Sequence, residues 1–502
     1  MNPILKSGAM IAFFGLLSRL AGLYRDRVLA SKFGPSEILD AYYISFGLPD
    51  LIFNLLIVGA LASAFIPVFI EYESKNKANA FRLANNFLNL AFTAVTIFGL
   101  IVFIFSDYLV DIIAPGFSDS QKDLTSLFLR IMIISPMIFS LSVIMGAILQ
   151  SFKKFISYSL APILYNLGII IGAVYLVPIL GPSGLAWGVV LGALMHFLIQ
   201  FIEVRRLGFK WQPGFGFKDP GIKKIIKLMI PRSMGLAASH VNWLVLNALA
   251  TTVFVGGASI LNLAHNLHYF PVAIVGISLA VASFPDLSRD ALNNRGSVIM
   301  DKVEEIIRVS LFIIIPLAAL MFYFSNEIIT IILSSGFFSG DDISVTANVL
   351  KIFAIGVIGN GLVPILARVF YAFQNTRTPL VASLVSLVVS VILSFSLISK
   401  IGIYALPLSF SIGISINAIL LVFLIKSELK AISPIGIINY SLLLGTIAIA
   451  MLGSIFLISE KIYLGDGLVY QSIRLISLSA FGVAVYAVLA YLLGVKEIKH
   501  FI

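Results

Sequence analysis

Along most of the chain, apolar residues run for about twenty positions at a stretch, and polar residues gather in short clusters between the runs. A helix needs roughly 20 such residues to cross the hydrocarbon of a bilayer. Fourteen segments of that length can be marked, beginning with 5–25 and 40–70, passing through 258–285, and ending with 433–458 and 473–494. The second and eighth are long and contain Pro49 and Pro271, so bends are expected there. The first segment breaks the pattern. In "GLLSRLAGLYRD", at about 100° per residue, Gly15, Ser18, Arg19, Gly22, Arg25 and Asp26 fall within an arc of roughly 120°. Leucine, alanine and tyrosine occupy the rest of that helix. A charge near the bilayer centre costs about 2.5–3.5 kcal/mol on insertion scales, so this polar face must look at protein or water.

The pattern also repeats. Arg130 to Gly192 lies on Lys351 to Gly413 at a constant offset of 221, which pairs "QSFKK" with "YAFQN", Gly181 with Gly402 and Gly192 with Gly413. At an offset of 222, Gly34 meets Gly256, Asp40 meets Asn262 and Pro49 meets Pro271. "PGF" at 115–117 echoes "SGF" at 335–337. The expected architecture is all-α and polytopic with about 14 transmembrane helices: a six-helix lobe over 1–210, a second over 211–430, and two additional helices over 431–502. An even number of spans per copy gives both copies one orientation, as in transporters that hold their substrate between two lobes.

Composition narrows the class. Of 502 residues 59% are hydrophobic and 12% charged, which suits a multi-pass membrane protein. The absence of cysteine excludes disulfides and thiolate metal sites. A net charge of +10 invites a nucleic-acid reading, but its placement argues against one. With both termini inside, Lys75, Lys77, Arg82, Lys153, Lys154, Arg205 and Arg206 fall in cytoplasmic connections, and outer connections hold Asp107, Asp111, Glu327 and Asp341. That is the positive-inside rule, so the expected partner is anionic lipid and not nucleic acid. The first apolar segment shows no signal-peptide cleavage pattern. No Walker loop, nucleophile elbow or HExxH appears, and no cofactor or enzymatic activity is expected.

Some charges lie inside the spans. Arg130, Lys351 and Arg368 are near helix ends and are read as snorkelling or locally paired, while Arg232 beside Pro231 is open to either reading. Arg19 and Arg25 share a face with two glycines, and only Asp26 is near enough in sequence to neutralise them. Two guanidinium groups in a cavity suit an anion, since guanidinium binds phosphate oxygens in bidentate fashion. His265 and His268, three apart in "NLAHNLHYF", are adjacent on one helix without an Asp, Glu or Cys close in sequence. They are read as polar positions facing a pore, not as metal ligands.

The run from Ser18 to Phe69, together with "FPVAIVGISLAVASFPDLSR" at 270–289 and "FYAFQNTRTPL" at 370–380, resembles the MurJ (MviN) family of lipid II flippases. That family belongs to the multidrug/oligosaccharidyl-lipid/polysaccharide exporter superfamily. The resemblance implies two lobes around a cationic cavity for a lipid-linked diphosphate, with the last two helices forming a groove for the polyprenyl tail. It assigns substrate contact to Arg19, Arg25, Asp26 and Asp40, with Arg232, His265, Asn266 and His268 as further candidates. Where the family carries an arginine pair after "LPN", this chain has Phe53 and Asn54, and Asn266 stands at another of its arginine positions. The activity implied is translocation of lipid II, or a related polyprenyl-diphosphate lipid, from inner to outer leaflet of a bacterial plasma membrane by a monomer. Export of another lipid-linked oligosaccharide, a polytopic membrane glycosyltransferase and a membrane scaffold are the other readings.

Overall fold

A computed structural model describes residues 3–58, 65–292, 296–429, 434–459 and 467–500. Among these, the chain is mostly helical and forms no strand; the one β feature is an isolated bridge between Ser335 and Phe338. Without water in the hydrocarbon core, every backbone N–H and C=O must find its partner within the helix, which is why apolar runs of this length take no other form. Among the described residues, ten segments are long and apolar enough to cross a membrane, one of which, Arg377–Lys426, contains two successive helices. The first helix (Pro3–Phe33) and the helix Pro220–Ala250 have 31 residues each, about 46 Å at 1.5 Å per residue.

Two compact units divide the chain. The first comprises residues 1–259 with 335–338, and the second comprises 260–334 with 339–502. The helix Pro220–Ala250, with which the sequence offset expects a second copy to begin, packs within the first unit against Glu37–Phe53. Polar side chains set several helix starts. Ser36, Asn76, Ser118 and Asp219 each accept a hydrogen bond from a backbone amide of the first turn they precede.

The sequence repeat is written into the backbone. Lys153 and Gln374 are the non-glycine residues with positive φ, at 58° and 59°, among the described positions. Each ends a helix in the same turn: Lys154 donates to Leu149 O at 2.8 Å, and Asn375 donates to Phe370 O at 2.9 Å. Gly181 and Gly402 have φ of 65° and 57°, and Gly34 and Gly256 of 57° and 96°. The prolines match too. Pro49 and Pro271 each precede a π-helical stretch, Asn54–Val58 and Val272–Ile277. A proline lacks the N–H of an α turn and crowds the carbonyl four residues back, so irregular helix near each proline is expected.

Small residues bring helices into contact. In the first unit, Gly172 and Gly188 face each other, and a Cβ on Gly188 would stand 2.6 Å from Gly172 Cα. Without a hydrophobic driving force between helices in lipid, such close backbone packing is a main source of association. In the second unit, the helix Pro434–Ser459 and the helix Leu468–Leu492 dock beside Gly296–Tyr323. Tyr486 Oη donates to Phe312 O at 3.1 Å, and the Arg308 guanidinium lies 4.7 Å from the Tyr440 ring centre. Their outer faces carry Leu442, Ile449, Val469 and Ile476, all exposed, as lipid-facing surfaces require.

Candidate functional site

The polar face of the first helix is built around Arg25. Its Nε and Nη2 donate to Asp26 Oδ1 at 2.9 and 2.8 Å, and its Nη1 donates to Asn166 Oδ1 at 3.0 Å. Asn166 sits on the helix Phe155–Ile171, where its Nδ2 donates to Pro162 O at 3.0 Å and to Ser18 O at 3.5 Å. The guanidinium plane is thereby fixed by a carboxylate on one edge and an amide on another. Asp26 is nearly closed off, at 5% side-chain exposure, whereas Arg25 keeps 21%. The result is an oriented arginine with accessible surface inside a membrane protein, which can receive an anion without first reorganising. Arg19, on the same helix, is half-buried.

Asp40 lies elsewhere in the unit and is fully buried. Its Oδ2 accepts from the Gly256 amide at 2.6 Å, and its Oδ1 accepts from the Ser259 amide at 2.7 Å and from Ser259 Oγ at 2.6 Å. The carboxylate thus satisfies the exposed amides at the start of the helix Gly257–Pro271, where the helix dipole also favours negative charge. Arg232 falls on the helix Pro220–Ala250, and its side chain lies outside the described residues.

In the second unit, the structure brings His265 and His268 together with ring centres 5.6 Å apart. Phe353 and Phe410 close around them: His268 stacks on Phe353 at 5.1 Å, and Phe410 meets both imidazoles edge-on at 5.7–5.8 Å. His268 has no exposed surface, and neither of its ring nitrogens finds a hydrogen-bond partner. Asn266 is half-buried on the same helix. Among the described residues, no group of three or more His, Cys, Asp or Glu side chains could hold a metal ion.

Two features escaped sequence reasoning. Asn166 is the first, since its contact with Arg25 joins positions 141 residues apart. A lone amide four residues after Pro162 in a greasy helix was the available signal. The second is a cavity of about 240 Å³ in the first unit, walled by Asp50, Phe53, Asn54, Ser135, Phe139 and Tyr165. Beyond it, buried Gln200 donates through Nε2 to Ser142 Oγ at 3.0 Å, and Ser142 Oγ lies 2.7 Å from His196 Nδ1.

A family described as "Lipid II flippase MurJ" matches residues 29–478. A probable lipid II flippase MurJ from Buchnera aphidicola subsp. Acyrthosiphon pisum is 31% identical over 427 residues, covering 83% of both chains. Its namesake from Buchnera aphidicola subsp. Schizaphis graminum is 29% identical over 99% of this chain and 98% of that protein. Among solved structures, a lipid II flippase MurJ in an inward closed conformation matches with a TM-score of 0.79 at 22% identity, covering 97% of this chain and 98% of its own. An inward-facing multidrug resistance MATE family transporter matches with a TM-score of 0.67 at 15% identity over 82% of this chain and 94% of its own.

Proposed function

The chain belongs to the lipid II flippase MurJ family, and on that premise we propose that it carries lipid II from the inner to the outer leaflet of a bacterial plasma membrane by alternating access. The observation that carries this reading at the level of chemistry is Arg25, held by Asp26 and Asn166 with part of its guanidinium open. A diphosphate taken from the headgroup region into a low-dielectric passage must be neutralised, because an unpaired anion there is prohibitively costly. Arg25 supplies a forked donor at a set angle, and Arg19 on the same helix supplies a second positive charge. Asp26 orients Arg25 and Asp40 anchors a helix start, so both serve the substrate through the protein. Arg232, His265 and Asn266 are proposed as the second copy's contribution to the passage, with His268, closed in by Phe353 and Phe410, packing behind His265. The polyprenyl tail stays in lipid, against the apolar outer faces of the last two helices.

In this reading the two sequence copies form lobes that alternate in access, both termini lie in the cytoplasm, and the protein works as a monomer with membrane lipids. The membrane potential biases the cycle by about 2.3 kcal/mol per charge per 100 mV moved across it.

Complementation tests the proposal. In a bacterium depleted of its own lipid II flippase, the wild-type chain is expected to restore growth and lipid II translocation. Arg25→Ala, at equal membrane abundance, is expected to fail, because losing a charge-assisted contact typically costs about 1.5–3 kcal/mol, roughly 10- to 100-fold in binding. Arg25→Lys keeps the charge without the fork and should restore translocation only in part. Full activity of Arg25→Ala would remove this arginine from the mechanism.

A further inference from the structure

Asp50 occupies an unusual place. It lies in the helix Glu37–Phe53 directly after Pro49, and its side chain opens into the cavity of about 240 Å³ in the first unit. Among the described residues, no donor or cation contacts its carboxylate. Asp50 is exposed at the mouth of this cavity, and a carboxylate held by no donor or cation of the described residues within a membrane-spanning segment calls for a mobile counter-ion.

The walls specify the kind of counter-ion. Phe53 and Phe139 have ring centres 5.5 Å apart, and Tyr165 meets Phe139 edge-on at 5.1 Å. Asn54 and Ser135 also line the cavity; the Asn54 amide and Ser135 Oγ already donate to Asp50 O and Met132 O and retain acceptor capacity. Aromatic faces attract cations, and together with one carboxylate they make the usual receptor for an organic ammonium, where a bare metal ion would ask for more oxygens. Size agrees. Sites for whole drug-sized ligands run about 300–1,000 Å³, so this cavity takes a group and not a saccharide.

We propose that this cavity is an alkylammonium site with Asp50 as its counter-ion and Phe53, Phe139 and Tyr165 as its walls. Tyr42 and Tyr165 stand within electrostatic reach of both Arg25 and Asp50, so an anion-binding arginine and an ammonium-binding carboxylate border one region. A headgroup carrying a diphosphate and a free amine on its peptide would meet a complementary charge at each end. In that lipid-borne form the inference rests on the flippase reading above. A free organic amine offers the same chemistry.

The test uses the full chain in phospholipid nanodiscs, wild type and Asp50→Asn, in two arms. The first compares binding of lipid II with that of the same lipid N-acetylated at its peptide amine. The second titrates n-butylammonium chloride alone and reads the rise in Tm. Wild type is expected to bind the free-amine lipid about tenfold tighter than the acetylated one, as one ion pair with cation–π support implies. Asp50→Asn should bind both lipids alike, at the acetylated level, and gain nothing from n-butylammonium. Discrimination between the lipids assigns the ammonium to the transported headgroup. A Tm rise in wild type alone, without discrimination, assigns it to a free amine. The proposal is overturned if wild type shows neither effect, or if Asp50→Asn keeps both. Should Asp50→Asn not fold, Asp50→Glu replaces it and is expected to retain the amine preference. Binding of neither lipid to wild type would sink the flippase reading instead, and the n-butylammonium arm would then decide the amine site by itself.

Discussion

Lys153 and Gln374 close their helices with the same left-handed turn, and Gly181 and Gly402 share another, yet the two sequence copies differ in charge. At the offset that pairs Pro49 with Pro271, Arg25 and Asp26 correspond to Asn247 and Ala248, Asp40 to Asn262, and Asp50 to Val272. Asn166, which holds Arg25, corresponds to Leu387. Backbone turns tolerate few solutions, because a left-handed φ or a wide turn after proline is set by sterics. A side chain facing a cavity is held by no such constraint. The turns were therefore kept in both copies, while Arg25, Asp26, Asp40 and Asp50 have no ionisable counterpart in the second.

Helix contacts show a milder form of the same divergence. Gly192 and Gly413 are matched positions, and each faces a matched partner, Tyr165 O or Ser386 O. The first copy lines this contact with glycine at 168, 172, 184, 188 and 192. The second buries Ser386, Ser390 and Ser394 along the helix Arg377–Ile401, where Ser394 Oγ returns its proton to Ser390 O at 2.8 Å. Serine is nearly as small and can satisfy its hydroxyl within its own helix.

The sharpest way to break this comparison is at Asp40. Asp40→Ala leaves the Gly256 and Ser259 amides without their acceptor, at about 1–3 kcal/mol for each buried donor. A fall in Tm of several degrees is expected, whereas Asn262→Ala should shift Tm much less. Equal losses would mean that the two copies carry equal weight at this position. Next in size is the matched glycine pair. A Cβ on Gly192 would meet Tyr165 O at 2.5 Å, against 3.0 Å to Ser386 O for Gly413. Gly192→Ala should destabilise by about 1–3 kcal/mol and Gly413→Ala by about 1 or less, read as Tm in the same detergent. The reverse order would show that the serine-lined contact is the more rigid of the two.

The smallest effect belongs to a surface pair of the first unit. Lys224 Nζ lies 2.8 Å from Glu71 Oε2, and this hydrogen bond and charge hold the Glu71 carboxyl below its ordinary range. A carboxyl depressed in the folded state stabilises above its unfolded pKa, and that contribution disappears as pH falls through its folded pKa. Glu71→Gln should therefore lower Tm slightly at neutral pH and leave it unchanged in acid. Added salt should erase the difference, as expected for an exposed pair. A difference that persists in acid would point to packing instead of charge.

Much of this was legible in the residues. The apolar runs, the offsets that align Gly34 with Gly256 and Gly181 with Gly402, and the polar face of the first helix all follow from local rules of period and turn. The matched φ values show why the repeat could be read: its most specific positions are the ones where the backbone is least free. Membership of the family was legible too, because "SRLAGLYRD" and "NTRTP" lie in segments whose order is itself the signal.

The chain's own pattern determined that it would consist of membrane-length helices, that its left-handed turns would recur at a constant offset, and that the first helix would carry Arg19 and Arg25 on one polar face. Those properties depend on residues within a few turns of one another, and lipid leaves the backbone no alternative to helix. Only the tertiary structure decided that Asn166 would grip Arg25, that Asp40 would cap a helix start 216 residues away, and that Asp50 would face a cavity with no partner among the described residues. Hydrogen bonds and cavities between distant segments depend on how helices cross, and helix faces packed through small residues admit many crossings that the same hydrophobic pattern would allow equally.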